Sequence, residues 1–224
     1  MFKAKSAALT RSGTVSPIMR LFAASDAVRP IAQSRDMHKI LPVLIRLLYA
    51  CGLRISEAVG LRCRDVDLER GVLTVREAKN GKGRLIPVSE SLIIRLREYR
   101  ETTIAWAGDD DFFFMAPDRT MLSPNTVYQR FRRILWAAGI RYGGKGNGPR
   151  LHDIRHTFAV HALQKWVETG EDLTAMLPVL SVFMGHKSFS ATSRYLRLTA
   201  EVYPDAVRMI EQTCACVIPG GGSL

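Results

Sequence analysis

The chain has 224 residues and a net charge of +11, from 32 lysines and arginines against 21 aspartates and glutamates. This length suffices for one sizeable core, and the positive excess favours a polyanionic partner, nucleic acid first. No apolar run approaches the roughly 20 residues of a membrane span, and the four cysteines form no paired CxxC units, which favours a cytoplasmic protein over a disulfide framework or a zinc site.

The first half of the chain predicts helices followed by a small sheet. Apolar residues recur at helical spacing in three successive segments, residues 18–28, 36–51 and 54–61. Gly52 breaks the pattern between the last two of these helices. β-Branched residues on either side of a turn at 79–83 then predict an antiparallel hairpin within residues 66–88.

The second half predicts helices only, with a Gly-rich break at 143–149. Their expected positions are residues 92–106, 124–138, 151–168, 173–184 and 206–212. The fold class is therefore mainly α with a small antiparallel β-sheet. We expect one domain over residues 17–213, between a basic flexible segment or linker at 1–16 and a flexible tail at 214–224.

Two segments of the second half carry groups suited to phosphodiester chemistry. His152 and Arg155 are three residues apart, so one helix presents both on the same face. Further on, Tyr195 follows His186 by nine residues. Phosphodiester transfer needs a nucleophile, cations for the non-bridging oxygens and an acid for the leaving 5′ oxygen, and this chain has a candidate for each role.

A third segment places Arg54 three residues before Glu57, at the start of a predicted helix. Arg54 lies between Leu53 and Ile55, close to Cys51, and this apolar setting is a poor one for a freely solvated guanidinium. We therefore expect Arg54 to be held at a site. An arginine that merely caps the loop is the alternative.

Together these segments resemble the tyrosine recombinase (phage integrase) family, which has the patterns GLRxSE, HxLRHTxA and LGH followed by a tyrosine. Ile154 and Met184 stand where the family pattern has leucine. The matching residues are Gly52, Leu53, Arg54, Ser56 and Glu57; His152, Arg155, His156, Thr157 and Ala159; Gly185, His186 and Tyr195; and Lys79, aligned through Arg84, Leu85, Ile86 and Pro87. The blocks occur in the family's order over most of the chain.

The resemblance implies a nucleophile, a phosphate clamp and an acid. Tyr195 would attack the scissile phosphate to form a 3′-phosphotyrosyl link and free a 5′ hydroxyl. Arg54 and Arg155 would clamp the phosphate with two-point hydrogen bonds. Lys79 would protonate the leaving oxygen, with Lys82 as its competitor because the turn can be shifted.

The remaining matched residues have proton-transfer or supporting roles in this resemblance. His152 would take or share the tyrosine proton, and His186 would donate to a non-bridging oxygen. Glu57 would orient neighbouring groups, and His156 would be a buried, hydrogen-bonded histidine. Three further tyrosines compete with Tyr195 for the nucleophile's role but lack its spacing from His186: Tyr128, Tyr142 and Tyr203.

The resemblance also implies double-stranded DNA as the partner and a homotetramer on two duplexes, with no metal and no other cofactor. Each subunit would pass a C-terminal segment, here the region around 206–212, to its neighbour. Only about 16 residues precede the first predicted helix, whereas family members usually carry an N-terminal domain that clamps the DNA. The alternative is therefore a truncated or accessory DNA-binding subunit that cannot recombine alone.

A zinc hydrolase is a rival interpretation of the same histidines. His152 and His156 have the spacing of the HExxH motif, with Asp153 in place of glutamate, and His161 or His186 could supply a third ligand. Against this, Arg155 would lie beside the metal, and aspartate is a methylene too short for the usual base.

A nucleotide-binding loop is a second rival, because residues 139–145 fit the pattern GxxxxGK. The next residue is Gly146 rather than serine or threonine. The segment also follows a predicted helix, whereas a phosphate-binding loop of this type follows a strand. We interpret it as a turn between helices.

Overall fold

The computed structural model describes Leu9 and residues 16–32, 36–76, 83–142 and 148–185. Three of the predicted site residues, Lys79, His186 and Tyr195, lie outside these described residues, as does the helix predicted at 206–212. The described chain falls into two compact units, one ending at Phe158 and the other beginning at Ala159. It contains seven α-helices and one three-stranded sheet.

The first three helices lie where apolar periodicity predicts them. They are α1 (Pro17–Asp26), α2 (Met37–Ala50) and α3 (Ile55–Val59). Pro17 lies in the first turn of α1, where its missing N–H costs no hydrogen bond. The apolar stripe of α2 is buried along its whole length, and the helix continues through Pro42. α2 packs against α1, so this pair forms the first part of the core.

The predicted hairpin is present and gains a third strand. A short 3₁₀ turn leads into β1 (Val66–Asp67), which is followed by β2 (Val72–Val75) and β3 (Arg84–Pro87), in the antiparallel order β1-β2-β3. Leu73 is paired with Val66 on one side and with Ile86 on the other, and all three are buried. β3 begins at Arg84, directly after the turn predicted to carry Lys79.

Four helices complete the described chain: α4 (Glu90–Thr103), α5 (Pro124–Ala137), α6 (Leu151–Glu168) and α7 (Leu173–Met184). α4 packs against α2, and α5 packs against α1. α7 belongs to the second unit and buries apolar residues at helical spacing along one side: Leu173, Leu177, Leu180 and Met184. No helix within the described ranges has the length and apolarity required to cross a membrane.

α4 ends at Thr103, three residues before the predicted end at 106, and the difference has a side-chain cause. The Arg100 guanidinium donates to the carbonyl oxygens of Ile104 and Ala107, the second at 2.8 Å. These bonds satisfy carbonyls beyond the last helical turn, so the chain can leave the helix there. Ile104 and Ala107 are both buried by the turn.

Candidate active site

A tight turn at Gly52 joins α2 to the segment that carries Arg54. Gly52 has a φ of +55°, and a Cβ atom placed on it would lie 2.6 Å from the Phe158 ring of α6. Both the left-handed backbone and this close approach favour glycine. The Gly52 carbonyl accepts a hydrogen bond from the Arg155 guanidinium, so the turn joins the start of α3 to α6.

The Glu57 carboxylate lies at the centre of the site. Its side chain is 3% exposed. One oxygen accepts from the Arg54 backbone N–H at 2.9 Å and from Arg84 at 2.9 Å, and the other accepts from the Arg54 and Arg84 guanidiniums at 2.7 and 3.1 Å. Arg155 lies 4.0 Å from the first of these oxygens. The carboxylate therefore uses the acceptor capacity of both oxygens and is surrounded by three guanidinium groups.

The surroundings of Glu57 keep it ionised. Burial by itself would raise the pKa of this carboxyl, but hydrogen bonds and charge from Arg84, together with hydrogen bonds from Arg54, lower the pKa below its ordinary value of 4.5. Glu57 also occupies the third position of α3, where its bond to the Arg54 N–H caps the helix. The same carboxylate thus begins a helix and binds the site's arginines.

The two arginines predicted to clamp a phosphate differ in exposure. The Arg155 side chain is 1% exposed and is fixed by the Gly52 carbonyl. The Arg54 side chain is 24% exposed, so it borders solvent while Glu57 holds one edge of its guanidinium. One arginine is therefore enclosed in the protein, and the other is accessible from outside.

The start of α6 positions two histidines. The buried Asp153 carboxylate accepts from the Arg150 N–H at 2.8 Å and from the Arg150 side chain at 3.3 Å, which caps the helix. The rings of His152 and His156 then meet edge to face, with centroids 4.6 Å apart. Asp153 is thus engaged in helix capping, which is a different task from the base that a zinc hydrolase would require.

Both histidines favour their neutral forms. The ring of His152 reaches the surface, yet desolvation by adjacent protein lowers its pKa below 6.5, and the charges of Arg155 and Arg54 act in the same direction. Burial lowers the pKa of His156 to about 4, with a further contribution from His152. A neutral imidazole can accept a proton, and His152 is the more exposed of the two.

The structure brings together five of the residues singled out from the sequence, namely Arg54, Glu57, His152, Arg155 and His156. Sequence reasoning missed Arg84, which served only to align the hairpin. Strand alternation could have indicated its position, because Arg84 lies on the same face of β3 as the buried Ile86, whereas Leu85 is 68% exposed. An arginine on the inward face of a strand needs an acidic partner, and Glu57 is that partner.

The described residues of the zinc-hydrolase and nucleotide-binding motifs lie in surroundings that differ from a metal site and from a phosphate-binding loop. Within the described ranges, no three His, Cys, Asp or Glu side chains cluster closely enough to hold a metal ion. Gly139, which opens the GxxxxGK pattern, follows the end of helix α5 as predicted, and residues 143–145 of the pattern lie outside the described part. The chain has left the helix by Gly139 and is described up to Tyr142, as the predicted turn after a helix requires.

A family model described as the phage integrase family matches residues 16–201. This chain belongs to the phage integrase family. It is 35% identical over 172 residues to a putative integrase/recombinase, y4rB, of Sinorhizobium fredii, with 75% of this chain and 55% of the relative covered. It is 32% identical over 169 residues to the tyrosine recombinase XerA of Pyrococcus furiosus, with 74% and 52% covered.

The fold also matches solved recombinases. XerH site-specific recombinase bound to a palindromic difH substrate has a TM-score of 0.66 at 20% identity, with 91% of this chain and 54% of that chain covered. A lambda integrase tetramer bound to a Holliday junction has a TM-score of 0.58 at 19% identity, with 83% and 47% covered. The expected tyrosine recombinase fold is thereby confirmed. The chain spans about half the length of the curated relatives described above.

Gly52→Ala should lower the free energy of unfolding by about 2 kcal/mol or more, because it combines a strained left-handed alanine with a clash against Phe158. Gly170→Ala is a matched control, since Gly170 has a φ of +73° but no atom within 4 Å of its added Cβ. Urea unfolding of the variants measures the difference. Equal losses would show that the contact with Phe158 contributes nothing.

His156→Gln should flatten the pH dependence of stability between pH 6.5 and 4. In the unfolded chain this histidine takes up a proton near 6.5, whereas in the folded chain it does so only near 4. Protonation therefore favours unfolding, and wild type should lose about 3 kcal/mol from this group as the pH falls to 4. Urea unfolding at pH 7, 5.5 and 4.5 tests this, and identical slopes for both proteins would contradict it.

Proposed function

We propose that this chain is a tyrosine-type site-specific recombinase that cleaves and rejoins double-stranded DNA through a 3′-phosphotyrosyl intermediate. Arg54 and Arg155 come from distant parts of the sequence and both lie against the buried carboxylate of Glu57, and this arrangement carries the proposal. Membership of the phage integrase family and the similarity to tyrosine recombinases support it.

The positive charge of the site complements a phosphodiester, and it complements the more negative transition state of the reaction better still. Three guanidiniums, those of Arg54, Arg84 and Arg155, surround one carboxylate, which leaves an excess of two positive charges. A phosphodiester carries one negative charge, and the five-coordinate phosphorus formed during attack carries two. Fixed positive groups in a partly enclosed site therefore stabilise the transition state more than the bound substrate.

Side chains of this chain supply the nucleophile and every proton transfer in the proposed reaction, so the scheme needs no metal or other cofactor. The Tyr195 oxygen attacks phosphorus and gives its proton to His152, whose lowered pKa leaves it neutral at pH 7. The bond from phosphorus to the 5′ oxygen breaks, and Lys79 gives that oxygen a proton. His186 donates a hydrogen bond to a non-bridging oxygen. Attack by a 5′ hydroxyl on the phosphotyrosyl bond reverses these steps and reseals the strand.

The proposed partner is duplex DNA, with a homotetramer acting on two duplexes. The net charge of +11 supports a polyanionic partner. The XerH structure contains a DNA substrate, and the lambda integrase structure is a tetramer on a Holliday junction. The alternative of an accessory subunit gains no support from the site or from the relatives, because the site retains the arginines that the reaction requires.

Tyr195→Phe should abolish covalent capture of DNA, because the ring without its hydroxyl has no nucleophile. Wild type should form a protein–DNA adduct on a nicked suicide duplex, and the adduct should also form in EDTA if no metal takes part. Tyr203→Phe is the matched control and should retain the adduct. An adduct that persists in Tyr195→Phe would reject the assignment, and one lost in EDTA and restored by zinc would favour a metal-dependent enzyme.

Lys79→Ala should lose cleavage on normal DNA and regain it when sulfur replaces the scissile 5′ bridging oxygen. A thiolate leaves without a proton, so the general acid becomes dispensable, whereas the phosphate clamp does not. Arg155→Ala should therefore stay inactive on both substrates. Rescue of Lys82→Ala, with no rescue of Lys79→Ala, would move the role of acid to Lys82.

A further inference from the structure

Arg84 forms a two-point ion pair with Glu57 behind the candidate phosphate clamp. Its two terminal nitrogens donate to the two carboxylate oxygens at 3.1 and 2.9 Å. The Arg84 side chain is 8% exposed and that of Glu57 is 3% exposed, so the pair is almost fully enclosed. Parallel hydrogen bonds of this kind fix the plane of a carboxylate as well as its position.

Arg54 uses the same two oxygens as Arg84. Its backbone N–H donates to one at 2.9 Å, and its guanidinium donates to the other at 2.7 Å. Each oxygen of Glu57 thus receives one bond from Arg54 and one from Arg84. Arg84 fixes the orientation of the Glu57 carboxylate. That orientation in turn sets the position of the oxygen to which the Arg54 guanidinium donates.

Without Arg84 the carboxylate would have other orientations available. Glu57 could turn to pair with the Arg54 guanidinium through both oxygens and give up the Arg54 backbone N–H, or approach Arg155, which is already 4.0 Å away. Either change moves a guanidinium away from the position it has in the intact site. Arg84 itself is more enclosed than Arg54, whose side chain is 24% exposed, so the accessible edge of the cluster belongs to Arg54.

We propose that Arg84 is a positioning residue of the recombination reaction, which acts through Glu57 to hold Arg54 in place for the scissile phosphate. This inference rests on the proposed function, since it assigns Arg84 a part in that chemistry. A lysine cannot replace it fully, because an ammonium group is a point charge and does not reproduce the fork of a guanidinium.

The test compares single-turnover adduct formation on the nicked suicide duplex by wild type, Arg84→Met and Arg84→Lys. Misplacing a catalytic group by about 1 Å costs on the order of 100-fold, so Arg84→Met should cleave about 100-fold more slowly with DNA affinity nearly unchanged. Arg84→Lys keeps the charge and should recover roughly tenfold of this loss. Arg84→Lys also carries the test by itself if Arg84→Met does not fold.

Arg76→Met is a matched control from the same sheet. Arg76 contacts the buried Asp65 carboxylate, which also accepts the backbone N–H of Arg62 at 3.0 Å, just as Glu57 accepts that of Arg54. This pair likewise lies on a buried, helix-capping carboxylate, but one with no predicted catalytic arginine, and its arginine is 56% exposed where Arg84 is 8% exposed. Arg76→Met should therefore lower the urea midpoint less than Arg84→Met does, and it should leave the cleavage rate within about twofold of wild type.

A double-mutant cycle identifies the route by which Arg84 acts. If Arg84 works through Arg54, then Arg54→Ala with Arg84→Met should cleave no more slowly than Arg54→Ala alone. The sulfur-bridged substrate should leave the Arg84→Met defect in place, since the defect lies in the phosphate clamp. Additive effects in the cycle, or rescue by sulfur, would overturn the proposal and point to the neighbouring hairpin turn instead.

The same experiment separates this inference from the proposed function. If wild type and Arg76→Met form the phosphotyrosyl adduct and both Arg84 variants match them in rate, the positioning role is rejected while the recombinase assignment stands. If wild type forms no adduct, both are rejected, because Arg84 then has no reaction to position for. Slow cleavage by Arg84→Met, with the predicted cycle and a folded protein, supports both.

Discussion

One buried carboxylate determines the arrangement of this site. Glu57 is nearly inaccessible to solvent, and a carboxylate in that setting is stable only with hydrogen-bonding cations around it. The arginines have the converse requirement, because several guanidiniums held close together repel one another. Their shared contact with Glu57 reduces that repulsion while leaving the cluster positive. A single ion-pair network therefore satisfies the demands of folding and those of the proposed phosphate binding.

The network joins elements that are far apart in the sequence. Arg54 precedes α3, Arg84 opens β3, and Arg155 lies in α6, so the carboxylate connects a helix start, a strand and a second helix. The two helices are also fixed locally, α3 by Glu57 and α6 by Asp153. Groups held in this way need little rearrangement when charge develops on a substrate, which is the condition for effective electrostatic catalysis.

Much of the architecture could be predicted because its causes are local. The apolar stripe of α2 and the strand pattern of β2 and β3 depend on neighbouring residues, and α6 even has the predicted bounds. The end of α4 and the role of Arg84 could not be predicted, because Arg100 and Arg84 act through partners that only the folded chain brings near. The roles of Lys79, His186 and Tyr195 remain predictions from the family pattern, since they lie outside the described residues.

The acceptor that holds Arg155 is a main-chain carbonyl, that of Gly52. A main-chain group cannot be exchanged by a substitution, so changes of side chain around the turn alter the charge of the site but leave this acceptor in place. A change in the length of the loop, by contrast, does move this acceptor. One residue inserted or deleted between α2 and α3 displaces the carbonyl and the adjoining Arg54 segment together. At positions other than Gly52, the connection between α2 and α3 therefore tolerates a change of residue type better than a change in its number of residues.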